Sequence, residues 1–264
     1  MQVYLARKLK AMNVVKSMNI KSILVSQPKP NSEGSPYLTL EKDLGIKVDF
    51  QPFIKVEGLT AKDLRQQKID LSKFTGIVLT SKNSVDHFFR VAEEMRFHVP
   101  DAMKYYCQSE AVAFYLQKYI VYRKRKVYIG GKTFADLKPT LKKLKKEKLL
   151  LPSSNILKPD VPALMDELGL DWKRGIMYQT VSCDLSDKNV KDYDILVFFS
   201  PLGIKSLFES FPDYKQGKQV IAVFGKSTIT EAEKNGLEVN IKVPTPETPS
   251  MTMALENYIK KANQ

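Results

Sequence analysis

Short apolar runs recur along the chain, among them Ile23–Val25, Ile77–Leu79, Leu149–Leu151, Ile195–Phe199 and Val220–Phe224. Each gives way to a polar loop and then to a stretch with apolar positions at helical spacing, often with a glycine near its end. Strand-length apolar runs alternating with amphipathic segments predict parallel sheets covered by helices on both faces. The units also repeat. "GIVLTSKNSVDHFF" (76–89) aligns without gaps on "ILVFFSPLGIKSLF" (195–208), with Ser81 opposite Ser200 and Ser84 opposite Gly203. "YYCQSEAVAFYLQKYI" then stands where "AVFGKSTITEAEKNGLEV" stands in the second half. "SILVSQPKP" with "YLTLEKDLGIKVDFQPF" likewise matches "LLLPSSNILKP" with "ALMDELGLDWKRGIMYQT". The pattern describes two similar α/β halves.

In sheets of this kind a ligand sits at the carboxyl ends of the strands, where loops open into helices. Those loops are Ser26–Pro28, Thr80–Ser84, Gln108–Glu110, Pro152–Asn155, Ser200–Gly203 and Gly225–Thr228, and serine and threonine dominate them. Any one such serine is most simply an N-cap. Six helix starts facing one site would offer backbone N–H donors to several carboxylates. None of the serines has a recognisable histidine partner, so a hydrolase triad has no support. "GKST" (225–228) is not a phosphate loop, because the first glycine of G-x-x-x-x-G-K-[ST] would fall on Val220 inside an apolar run.

A chain of 264 residues with 43% hydrophobic content can form one large domain or two small ones. It has no apolar run long enough to span a membrane. Cys107 and Cys183 are isolated, which fits a reducing cytoplasm, and His87 and His98 form no metal cluster and read as structural or solvated. The net charge of +13 is local: residues 1–21 carry five basic groups and no acidic one, and 118–148 carry twelve against two. In the second patch Leu137, Leu141 and Leu144 predict a lysine-faced surface helix over 133–148. Tyr119, Tyr122 and Tyr128 flank Arg123–Lys126, which keeps open a basic α/β module binding nucleic acid or a nucleotide.

Taken in order, "ILVSQP", "GIVLTSKNSV", "LLLPSSN" leading to "IMYQT", "DILVFFSPLGI", "AVFGKST" and "VPTPETPSM" cover about 22–262 and are similar to the uroporphyrinogen-III synthase family. The resemblance implies two flavodoxin-like parallel-sheet domains with a cleft between them. One is discontinuous (22–53 plus 182–264) and the other is 57–175, with a two-stranded linker near 54–56 and 176–181. It implies a cyclising lyase of porphyrin and heme biosynthesis. Such an enzyme closes hydroxymethylbilane, a linear tetrapyrrole with eight carboxylates, by loss of its hydroxyl, an azafulvene and a spiro intermediate that inverts ring D. No metal or organic cofactor is needed.

By the same resemblance Tyr178 assists departure of the hydroxyl. The substrate is bound by Thr80, Ser81 and Asn83; by Ser109; by Ser153, Ser154 and Asn155; by Ser200 and Pro201; and by Gly225, Lys226, Ser227 and Thr228. One turn departs from the family's G-x-x-T, reading "QSEA" with Gln108 and Ala111. The expected partners are the small-molecule substrate and, transiently, the upstream deaminase, with no nucleic acid and no membrane, for a cytoplasmic monomer. The basic 1–21 segment reads as a dispensable extension, with Met18 as the start. A protein beginning at Met18 is expected to keep its melting temperature and turnover, as checked by thermal denaturation and enzyme assay.

Overall fold

The structure, a computed structural model, describes residues 18–264 apart from 33, 132 and 145. In chain order it runs β1 (Ser22–Val25), α1 (Pro36–Leu44), β2 (Lys47–Phe50), β3 (Ile54–Gly58), α2 (Ala61–Gln66), β4 (Gly76–Leu79) and α3 (Lys82–Glu94). Then follow β5 (Lys104–Cys107), α4 (Glu110–Leu116), β6 (Val127–Ile129), α5 (Lys138–Leu141), β7 (Lys148–Ser154), α6 (Asp160–Glu167) and β8 (Asp171–Ser182). The last elements are β9 (Ile195–Phe198), α7 (Pro201–Ser210), β10 (Val220–Phe224), α8 (Lys226–Lys234), β11 (Val239–Val243) and α9 (Met251–Ala262).

The chain divides into two compact units, one made of the part up to Lys55 together with Val181–Gln264, the other of Val56–Thr180. Both boundaries fall inside strands, β3 and β8, which are neighbours in one sheet. In the first unit the sheet order is β11-β10-β9-β1-β2, with every pairing parallel. Numbered along the unit this is 2-1-3-4-5, the flavodoxin-like doubly wound order. The second unit carries β8-β7-β4-β5-β6 in parallel, with β3 added beside β8. There β7 and β8 occupy the places that β1 and β2 hold in the first unit, although they come last in their own. The repeat is therefore cyclically permuted, and a unit boundary does not fall between the two sequence halves.

Alternation along each strand sends successive residues to opposite faces. In the first unit Ile23, Val25, Ile195 and Val197 join Leu40 of α1 and Leu255 and Ile259 of α9. On the other face Leu24, Leu196, Phe198 and Ile221 meet Ile204 and Leu207 of α7 and Ala232 of α8. The second unit does the same. Ile77, Tyr105 and Leu150 pack on α3 and α4, while Val78, Tyr106, Leu149 and Leu151 pack on α5 and α6. Central strands buried on both sides explain why they read as unbroken apolar runs.

Two readings of the lysine-rich and N-terminal segments change. The helix expected over 133–148 is a 3-10 turn (Phe134–Leu137) followed by one α turn, and β7 begins at Lys148. Leu137 and Leu141 are buried as the leucine stripe required. The chain must nevertheless be extended before Leu149 to Leu151, three fully buried residues paired with β8, so no longer helix fits. Of the extension read over 1–21, residues 1–17 lie outside the described residues. Met18 N–H donates to the Ala262 carbonyl at 3.0 Å, Ile20 N–H to the Asn263 side chain at 2.9 Å, and Ile20 is buried against α9. Ile20→Ala is expected to destabilise the chain by about 2–4 kcal/mol, the range for truncating a buried branched side chain, as read from denaturant unfolding.

Candidate functional site

In the second unit β4 passes into α3 at Ser81, whose extended backbone (φ −159°) makes it the N-cap. Its hydroxyl accepts the Ser84 N–H at 3.1 Å. Ser84 answers by accepting the amides of Thr80 (3.2 Å) and Ser81 (3.1 Å) while donating to the Ser81 carbonyl. The amides of Lys82 and Asn83, at the first two helical positions, have no intrahelical acceptor, and both residues are exposed. The β5–α4 corner repeats the shape with less: Ser109 caps α4 without a side-chain bond, and Glu110 and Ala111 supply the first-turn amides. It has no positive-φ residue, so "QSEA" forms a helix start without glycine.

Tyr178 stands on β8 opposite Ser154 of β7, at a register shift between Ser153 and Ser154. The shift inserts Met177 as an extra residue on β8 and sends both Met177 and Tyr178 into the core under α3 and α4. The Tyr178 hydroxyl lies 3.4 Å from the Ser81 hydroxyl, which joins the two carboxyl-end corners in one unit. Burial raises the phenol pKa above its ordinary value, opposed by contacts with Ser81 and the Ser154 backbone, so the proton is retained through neutral pH. The phenol can therefore donate a hydrogen bond to an oxygen that is gaining negative charge.

Three residues expected to bind substrate, at the end of β7, also have partners within the unit. Ser153 is buried and its hydroxyl accepts Nε of Arg174 at 2.9 Å. The same guanidinium donates to the carbonyls of Ser154 (2.7 Å) and Asn155 (3.0 Å). The Asn155 carbonyl oxygen of the side chain accepts from Thr180 N–H and Ser154 Oγ. No helix starts here, since α6 begins only at Asp160. Sequence reasoning passed over Arg174 because a lone arginine on a strand carries no motif.

His87, which read as structural or solvated, has a specific place. The imidazole stacks on Tyr178, with ring centroids 4.7 Å apart and planes 15° from parallel. Its Nδ1 accepts Nε of Arg90 at 3.2 Å. Arg90 in turn donates to the carbonyls of Leu59 (2.7 Å) and Met177 (3.0 Å) and pairs with Glu94. Gly58 leaves room for this, as a Cβ there would stand 2.7 Å from the guanidinium. The sequence held one usable signal: position 87 lies six residues beyond the Ser81 cap, on the helix that follows β4.

In the first unit, Ser200 caps α7 by accepting Gly203 N–H at 3.1 Å, and Pro201, having no N–H, contributes shape and no donor. At the β10–α8 corner a single residue, Gly225, connects strand and helix at φ +90°, a conformation other side chains resist. Lys226 and Ser227 are exposed and present the first-turn amides, while Thr228 is buried beneath them. A one-residue connection cannot wrap a phosphate chain, so the nucleotide reading has no loop to act through. Of the tyrosines near Arg123–Lys126, Tyr119 stacks on Phe89 and bonds to Asp86, and Tyr128 stacks on Tyr106. Tyr122 is exposed.

A family model described as Uroporphyrinogen-III synthase HemD matches residues 35–253. The chain belongs to this family. A Chlorobaculum parvum protein named uroporphyrinogen-III synthase is 26% identical over 257 residues, spanning 91% of this chain and all of that one. Among solved structures, the uroporphyrinogen-III synthetase of Helicobacter pylori aligns over 92% of this chain and 100% of its own, with TM-score 0.58 and 16% identity. A mutant uroporphyrinogen III synthase of Thermus thermophilus aligns over 92% and 98%, with TM-score 0.50 and 14% identity. At such identities the structures establish a shared fold.

Membership of the uroporphyrinogen-III synthase family makes the chain a cyclising lyase of tetrapyrrole synthesis. No helix among the described residues is long and apolar enough to cross a membrane. Burial first, then Arg90, lowers the pKa of His87 below 6.5, with Asp86 opposing. A depressed histidine pKa contributes stability that is present above the unfolded value and lost as pH falls through the folded one. Unfolding free energy is therefore expected to decline as pH drops below 6.5, and His87→Phe to flatten that part of the profile in denaturant titrations on either side of it.

Proposed function

We propose that the chain cyclises hydroxymethylbilane to uroporphyrinogen III with inversion of ring D and loss of water, and that Tyr178 is its catalytic residue. The observation that carries the assignment to Tyr178 is the place of its hydroxyl, 3.4 Å from that of Ser81 at the carboxyl ends of β4 and β7. Departure of the substrate hydroxyl leaves a cation on the tetrapyrrole and charge on the leaving oxygen. A phenol that keeps its proton stabilises that oxygen by donating to it. The remaining demand is to hold a flexible octacarboxylate in the pose that leads to ring inversion, a task of orientation.

Carboxylates are received at the helix starts: by the amides of Lys82 and Asn83 with Thr80 and Ser81, by the corner at Ser109, by Leu202 N–H beside Ser200 and Pro201, and by Gly225–Thr228. Backbone donors at a helix N-terminus suit anions because they are pre-oriented and need no side-chain ordering. Lys226 adds a flexible cation beside one such set. Ser153, Ser154 and Asn155 serve as the rim that Arg174 holds in place. The enzyme works as a monomer and meets the deaminase that supplies its substrate only transiently; its placement in the cytoplasm agrees with Cys107 and Cys183 being free of disulfides.

Coupled to a hydroxymethylbilane-generating deaminase and followed by separation of isomers, the protein is expected to yield mainly type III product; mainly type I, the spontaneous product, would refute the assignment. In the same assay Tyr178→Phe is expected to lower kcat by about 100-fold, the foot of the range for a proton-donating group, and unchanged turnover removes its role. Lys226→Ala is expected to raise KM by a few fold at most, and ATP to leave the melting temperature unmoved.

A further inference from the structure

We infer that His87 is a positioning residue for the cyclisation: its imidazole is the surface against which the Tyr178 phenol is set, so that the hydroxyl is aimed at the corner capped by Ser81. The inference rests on the role proposed above for Tyr178. At 3.4 Å the contact between the Tyr178 and Ser81 hydroxyls is too long to fix the phenol by itself. The stacked imidazole, 4.7 Å away and 15° from parallel, blocks rotation of the ring out of that plane.

The imidazole is in turn held from two sides. Its own backbone lies on α3, and Arg90, one turn further along α3, binds its Nδ1. Arg90 also grips the carbonyl of Met177, the residue that precedes Tyr178 on β8, and the carbonyl of Leu59. The contacts close a ring: Tyr178 stacks on His87, His87 bonds to Arg90, and Arg90 bonds to the peptide that carries Tyr178. Any displacement of the phenol must break one of these links.

Because Nδ1 accepts, the neutral ring carries its proton on Nε2. The charged and titratable groups around it are Arg90 and Asp86 on α3 and Tyr178 on β8. Asp86 is occupied by the hydroxyls of Tyr115 from α4 and of Tyr119 in the turn beyond it, and Glu94 is occupied by Arg90. Asp86 opposes, but its oxygens are turned to those hydroxyls, and burial and the Arg90 charge together favour the neutral imidazole. A charged imidazole beside the phenol would oppose the cation that forms on the tetrapyrrole when the hydroxyl departs.

The test uses the full chain in the isomer-resolved coupled assay, with Tyr178→Phe as reference. His87→Ala is expected to lower kcat by about 10-fold with KM changed by less than about two-fold, a transition-state effect. His87→Phe, which keeps a stacking ring, is expected to restore most of that loss. Combined with Tyr178→Phe, the alanine variant should add little further loss, since both act through one group. The acid limb of kcat in the parent should be absent from His87→Phe, and the nitrogen NMR signals missing from that variant should be those of a neutral Nε2–H ring. Unchanged kcat in His87→Ala, a phenylalanine variant no better than the alanine one, or additive losses would overturn the inference while leaving Tyr178 intact if Tyr178→Phe is slow. Unchanged turnover in Tyr178→Phe would overturn both.

Discussion

The second unit is organised by the pairing of β7 with β8 and the one-residue shift within it. Up to Ser153 the two strands run in simple register, and beyond it Ser154 faces Tyr178. A strict alternation would send Met177 and Tyr178 to opposite faces. The shift places both in the same core, under α3 and α4, and brings a phenol to the end of the sheet where the β4–α3 corner opens. Arg174 stabilises the irregular stretch by satisfying the Ser153 hydroxyl and the carbonyls of Ser154 and Asn155, which leave the regular ladder here.

A second constraint is shared by both units. Parallel strands deliver their carboxyl ends to helix N-termini, and the first two amides of each helix have no partner inside it. At α3 and α8 a cap, a serine or a glycine, is followed by two exposed positions, while at α7 the Ser200 cap is followed by Pro201, which has no N–H, and by half-buried Leu202. Ser84 shows how completely the rest is satisfied, since its single hydroxyl closes two amides and a carbonyl. What is left unpaired is therefore a small set of donors at one end of each sheet. That arrangement suits a ligand with many carboxylates and little need for acid–base chemistry.

Much of this was legible in the chain. The apolar runs at 23–25, 77–79, 149–151, 195–199 and 220–224 proved to be central strands, and the ungapped repeat of 76–89 on 195–208 proved to be the β4–α3 and β9–α7 units. Ser81 and Ser200 were visible as caps because a capping serine needs only a strand before it and a helix after it. The lysine-rich stretch misled, since Leu137, Leu141 and Leu144 have helical spacing but the following strand claims the chain by Lys148.

By itself the sequence determined the element types, the doubly wound character of the sheets and the polar corners, because each is written in local periodicity and in the chemistry of a single cap. Only the tertiary structure decided the cyclic permutation of the second unit, the shift that turns Tyr178 inward, the occupation of Ser153 by Arg174 and the stacking of His87 on Tyr178. Each of these depends on a partner between 21 and 91 residues away in the chain, and the residues on the two sides carry no mutual signal until the strands have paired.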